Sequence, residues 1–181
     1  MSTVRFNTWQ DTGGTEVANS TLGTGKILQV VSTTKTDTYT ASVAQGATTA
    51  VTGLTASITP TSASSSIFVL AQINAITQNA SAQSVIAVLT RGGTAICIGD
   101  ANGSNSRGTS SSAGADTEGI NSIPVMFLDS PATTSATTYG IEIGHTVATT
   151  QNIYVNRTVS VPNNNDIWRT TSTITVLEVG A

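Results

Sequence analysis

The sequence predicts an all-β fold: an antiparallel β-sandwich, jelly-roll-like, carried behind an extended N-terminal arm. Three observations predict it. Charged residues make up only 9% of the 181 positions, against about a quarter in ordinary globular domains. Thr is the commonest residue, with Ser, Ala, Gly and Val also abundant, and side chains branched at Cβ favour the pleated strand. Apolar residues recur in short period-two runs separated by clusters of Gly, Pro, Asn and Ser. No internal repeat and no helix of useful length interrupts this pattern.

Residues 1–25 differ from the rest. They hold Phe6, Trp9 and Asp11 without sustained alternation and read as an attachment arm, Phe6 and Trp9 being large apolar groups in need of a partner surface. The sandwich domain is expected over 26–181. Ile27-Leu28-Gln29-Val30-Val31 is a short apolar run, and Thr36 to Ser42 a more polar second strand. Leu54, Ala56 and Ile58 alternate with Thr55, Ser57 and Thr59 until Pro60 stops the run. Ser66 to Ile76 starts apolar on both faces and is expected to be central and covered on both sides. Ser84–Arg91 and Thr94–Asp100 form the clearest hairpin, with Gly92-Gly93 supplying the positive φ values of a two-residue turn. Residues 101–121 are rich in Gly, Ser and Asn and read as a long loop, functional or held by a neighbour. Ser122–Asp129 is a strand whose Pro124 marks an edge or a bulge. Pro131 to Thr137 is a turn. Tyr139, Ile141, Ile143 and His145 alternate with Gly140, Glu142 and Gly144. Asn152–Val161 is a further strand, Pro162 to Asp166 a polar turn, and Ser172–Val179 the last strand. Eight to ten short, evenly spaced strands suit a sandwich or jelly roll.

The formal net charge is −3, with no basic stripe, so nucleic acid is not an expected partner. No apolar run is long enough to span a membrane, and the first residues lack the apolar core of a signal peptide; cytoplasmic synthesis is expected. Cys97 is the only cysteine, which excludes an intrachain disulfide, and between Ile96 and Ile98 it reads as a small buried hydrophobe.

Candidate chemistry is sparse. His145 is the only histidine, lies in an alternating strand, and has no Gly-x-Ser-x-Gly elbow to serve. Glu142 and Glu178 qualify for paired-carboxylate chemistry only as strand acids. One His and one Cys do not make a zinc set, and Asp100 to Ser104 lacks the sixth-position Gly and closing Glu of a calcium loop. No catalytic residue, metal or cofactor is expected. What remains suits binding: loops of Ser, Asn and Thr, with Asn102, Asn105 and Arg107 in the long loop, and Tyr139, Tyr154 and Trp168 as rings able to stack on a sugar.

Three stretches carry a resemblance: Phe6-Asn7-Thr8-Trp9-Gln10-Asp11-Thr12-Gly13-Gly14, Gly25 to Val31, and Thr52-Gly53-Leu54-Thr55-Ala56-Ser57-Ile58-Thr59-Pro60, with the ending Ser172 to Val179. Together they resemble small virion structural or tail-fibre-like proteins of tailed bacteriophages, of the cyanophage and other aquatic phage type. The resemblance implies a β-sandwich, commonly a homotrimer, on an N-terminal attachment segment. Two functions follow as expectations. One is a tail-fibre or receptor-binding module whose arm docks to other virion proteins and whose loops touch host-surface glycan. The other is a capsid decoration protein that clamps the head.

Overall fold

The computed structural model describes residues 25–78, 84–112, 119–160 and 167–181. Its eleven strands are β1 (Ile27–Lys35), β2 (Tyr39–Val43), β3 (Thr48–Ile58), β4 (Ser66–Thr77), β5 (Val85–Arg91), β6 (Thr94–Ile96), β7 (Ser110–Ser111), β8 (Asn121–Asp129), β9 (Thr137–His145), β10 (Gln151–Val155) and β11 (Ser172–Val179). No described residue is helical. Phe6, Trp9 and Asp11, and with them the proposed arm, lie outside the described residues.

Two antiparallel sheets face each other. The first has the order β1-β11-β4-β10-β2, with β8 on the other edge of β4; the second has β3-β9-β5-β6, with β7 also on β5. Register reduces these to eight lanes. β11 pairs with Ser66–Gln72 and β10 with Ala75–Thr77, so they lie end to end along one edge of β4. β1 follows β11 and β2 follows β10 in the same way. On β5, β6 takes residues 89–91 and β7 residues 86–87. The lanes are therefore β1/β2, β11/β10, β4, β8 in one sheet and β3, β9, β5, β6/β7 in the other. That interleaved order is the double Greek key of a jelly roll.

The alternation read from the sequence explains the core. Ile67, Val69, Ile73, Leu89, Ile123, Ile141, Ile143, Ile153, Ile174 and Val176 are inward positions with almost no exposure and form one cluster between the sheets. Each such side chain contributes about 1.5–3 kcal/mol on burial. β4 is central in its sheet, as expected, but its outward Phe68 and Leu70 are only half-buried. Pro124 sits on β8, an edge strand, where a missing N–H costs no ladder bond. Gly92 and Gly93 have φ of 57° and 78°, the values that a type I′ hairpin needs at both central residues.

Some boundaries differ from expectation. The second strand of the hairpin ends at Ile96, because Cys97 adopts φ 53° and turns the chain away; Cys97 is exposed, correcting its reading as buried. β10 stops at Val155, six residues early, because Asn156 adopts φ 61°. The 101–121 segment is not loop throughout: Ser110 and Ser111 return to pair with β5.

Asn156 explains why the long lanes break where they do. It is fully buried. Its Nδ2 donates to the carbonyls of Lys35 (2.9 Å) and Asp37 (3.0 Å), which bracket the β1/β2 break. Its Oδ1 accepts from Ser172 Oγ at 2.7 Å, and that Oγ accepts from the Asn74 N–H at 3.0 Å. Its backbone N–H donates to Asn74 O at 2.8 Å. One side chain thus satisfies backbone groups that two interrupted lanes would leave unpaired.

Asn156→Ala should destabilise the protein by about 3 kcal/mol, from orphaned buried carbonyls and a strained positive φ. Asn156→Gly, which relieves the backbone strain alone, should cost less. Urea unfolding of the two variants checks both the size and the order.

Candidate functional site

Strand directions give the sandwich two distinct ends. β1 begins and β11 ends together, with Gly25 N–H donating to Gly180 O (2.8 Å) and Gly180 N–H to Lys26 O (2.8 Å). The β3–β4, β5–β6 and β8–β9 connections lie at this same entry end. At the far end, β2, β4, β7 and β9 finish and β3, β5, β8 and β10 start, as the pairings Gln151↔Val43, Ile153↔Thr77 and Val85↔His145 require.

The entry end has an unusual inner row. Register aligns Gln29, Glu178, Ile67 and Asp129 across the first sheet, and all four face inward. Three of the four are polar, so alternation here points polar groups into the sandwich. Each finds partners. Glu178 Oε1 accepts from the Thr61 N–H and Thr61 Oγ1, both 2.7 Å, and its Oε2 accepts from Gln29 Nε2 at 2.6 Å. Gln29 Nε2 also donates to Thr59 O at 2.7 Å. These bonds fix the β3–β4 connection to the first sheet. Burial pushes the Glu178 carboxyl up, but the Thr61, Gln29 and Ser65 side chains and the Thr61 N–H outweigh it and hold the group at about 2.

Asp129 makes the second clasp. Both its oxygens accept from Arg91 Nη1, at 2.9 and 2.8 Å, and Oδ2 accepts from Tyr139 Oη at 2.6 Å. Arg91 comes from β5 and Tyr139 from β9, so the cluster ties the two sheets together. Burial, reinforced by the Asp129 carboxylate, raises the Tyr139 phenol far above its ordinary value. Tyr139 is fully buried, which corrects its place among the receptor-contacting rings: inward alternation with Ile141 and Ile143 puts it in the core.

His145 closes the far end. It is fully buried, its Nε2 lies 2.7 Å from Val43 O, and its Nδ1 accepts from the Val147 N–H at 3.1 Å. The hydrogen therefore sits on Nε2, and both ring nitrogens serve the backbone. Neither is available to activate a serine hydroxyl. Among the described residues no group of His, Cys, Asp and Glu gathers in a way that could hold a metal ion.

The remaining expected contact residues fall in two places. Asn102, Asn105 and Arg107 are exposed on the β6–β7 loop, where the Asn105 N–H donates to Asn102 O at 3.1 Å. Its second foot is fixed: Thr109 N–H donates to Ala87 O (2.8 Å), Thr109 Oγ1 accepts from the Leu89 N–H (2.8 Å), and a Cβ on Gly108 would meet Ile86 Cγ2 at 2.2 Å. Tyr154 and Trp168 flank the β10–β11 excursion. The Tyr154 ring lies 4.6 Å from the Arg157 guanidinium, and Trp168 is 74% exposed. The structure does not merge the two groups into one site. A shallow depression of about 280 Å³ lies beside Ser106, Gly108 and Ser111 of the loop, and another of about 320 Å³ lies at the entry end between Arg91, Pro131 and Thr138, lined by neither Tyr154 nor Trp168.

Reasoning from the sequence missed the clasps on Glu178 and Asp129. A signal existed: Glu178 is in phase with Ile174 and Val176, and Asp129 with Ile123 and Val125. No family model and no curated protein matches the chain.

Two outcomes follow. The folded value of Glu178 lies below its ordinary 4.5, so the unfolded chain binds the extra proton. Its stabilising contribution is complete above about pH 4.5 and is lost as pH falls toward 2. Urea midpoints measured from pH 6 downward should fall through that window, and fall less steeply in Glu178→Gln, which should also lose about 1–3 kcal/mol at neutral pH. Separately, Tyr139→Phe should cost about 1–2 kcal/mol and Arg91→Met about 2 kcal/mol, below the fully buried case because the Arg91 side chain is 36% exposed. A double variant that costs less than the sum would mark the three groups as one network.

Proposed function

We propose that this chain is a non-enzymatic structural component of a tailed-phage virion, a tail-fibre or receptor-binding module that joins the particle through residues 1–25. The observation that carries the reading is the polarity of the jelly roll. The chain enters beside its own exit at one end, so a body tethered through its N-terminal segment presents the far end outward. Jelly rolls occur in capsid and lectin domains, and fold alone does not fix function; the resemblance in the sequence adds the virion. Exposed Asn102, Asn105 and Arg107, and the open ring of Trp168, are the groups offered to a host-surface glycan. Other virion proteins are the partners of the arm, and the body works as a homotrimer. The protein is made in the host cytoplasm and acts in the particle.

One observation favours capsid decoration instead. The outer face of the first sheet carries no charge over most of its breadth, and such a face fits lateral packing on a shell.

Imaging of particles that carry an epitope-tagged copy tests both readings. Label at the tail is expected. Label over the head would select decoration, and unlabelled particles, with the protein left in the lysate, would refute a virion role.

A further inference from the structure

We infer that the outer face of the first sheet, at the entry end, is an interface between copies of this chain. The inference deepens the self-association proposed above and rests on it. Directly beside the polar inner row lies an outer row that is entirely apolar. Val30, Leu177, Phe68 and Leu128 are aligned across all four lanes by the register. The next outer row adds Leu70 and Met126, which pair with each other. The usual arrangement of a solvated sandwich is thus inverted here, with acids and an amide held inside and aliphatic and aromatic side chains outside.

These outward groups are not shielded by the rest of the chain that is described. Val30 is 56% exposed, Leu128 55% and Met126 70%. Ile27 and Leu28, also about half exposed, extend the patch at the β1 edge. Together the exposed members leave on the order of 500 Å² of apolar surface in water, near the top of what a monomer carries. A stable interface removes roughly 800 Å² from each partner, so the patch supplies well over half of one. The outward positions next to it are Ser, Thr, Gln and Pro, the polar rim that such a core requires. The opposite stretch of the same face is already closed, since the outward Ile76 is buried and Asn74 Nδ2 donates to Thr171 O at 2.6 Å.

Charge selects a second copy as the occupant. None of the outward positions in these rows is ionisable. Identical subunits bring equal charge to a shared interface, so a charged face repels itself unless its signs are arranged in pairs. A face without charge meets no such barrier and buries no unpaired ion. A foreign partner held by electrostatic complementarity would leave a signed patch around these rows, and among the described residues the rows carry none.

Light scattering on the full chain at tens of micromolar, with and without Met126→Glu and Leu128→Glu together, tests the inference. Both side chains are more than half exposed, so the fold is expected to survive, and a β-type circular dichroism spectrum checks it. The wild type should have a mass that is a multiple of 18.4 kDa, and the double variant should have the mass of one chain. A monomeric wild type would overturn self-association itself, as would a monomer whose own N-terminal residues cover the patch. A double variant that stays multimeric would leave self-association standing and overturn this face. Should the variant misfold, Met126→Cys in a Cys97→Ser background gives the same decision: a short bis-maleimide should link copies to each other, and its failure to do so would overturn the assignment.

Discussion

The inner row at the entry end constrains much of this structure. A two-sheet sandwich is open at its ends, and the strands there still alternate. Register puts Glu178 and Asp129 inside, where an unpaired carboxylate would cost several kcal/mol. The fold answers by bringing partners from the neighbouring strand, from the β3–β4 connection and from the other sheet. Thr61 and Gln29 close over Glu178; Arg91 and Tyr139 close over Asp129. Because those partners come from β1, the β3–β4 connection, β5 and β9, satisfying two acids fixes how the sheets meet. A chain with no disulfide to lock that end gains a directional clasp from hydrogen bonds.

The same economy runs through the rest of the body. Asn156 closes two strand breaks at once, and His145 gives one ring nitrogen to the Val43 carbonyl at the end of β2 and the other to the Val147 N–H just past β9. Among the described residues these buried polar groups serve the backbone or each other. The functional surface must be sought among exposed groups, on the β6–β7 loop, at Trp168 and on the outer face of the first sheet. Inverted polarity at the entry end links the two halves of the account. With the acids turned inward, the neighbouring positions along the same strands turn Leu128, Phe68, Leu177 and Val30 outward.

Much of the architecture was legible from residues alone. Period-two runs at Ser66–Ile76, Tyr139–His145 and Ser172–Val179 gave strands within two residues of where they lie, and Gly92-Gly93 gave the hairpin. What was not legible depended on partners distant in sequence. Ser110 and Ser111 have no strand signature of their own and pair because Thr109 and Gly108 dock on β5. β10 ends early because Asn156 is claimed by Lys35 and Asp37, more than a hundred positions away. Tyr139 was grouped with surface rings although its phase with Ile141 and Ile143 already placed it inside. Of the candidate site, the exposed loop residues were foreseen as polar and accessible, whereas the apolar outer rows emerge only when four strands are set in register.

The entry end is turned inside out: the fold encloses its acids, and the contact proposed with another copy would enclose its apolar row. Met126 reports on the second half directly. Peroxide oxidation of Met126, followed by peptide mass spectrometry across a dilution series, should be slow in concentrated protein and speed up as the copies separate. Oxidation at the rate of a free methionine at every concentration would contradict the account.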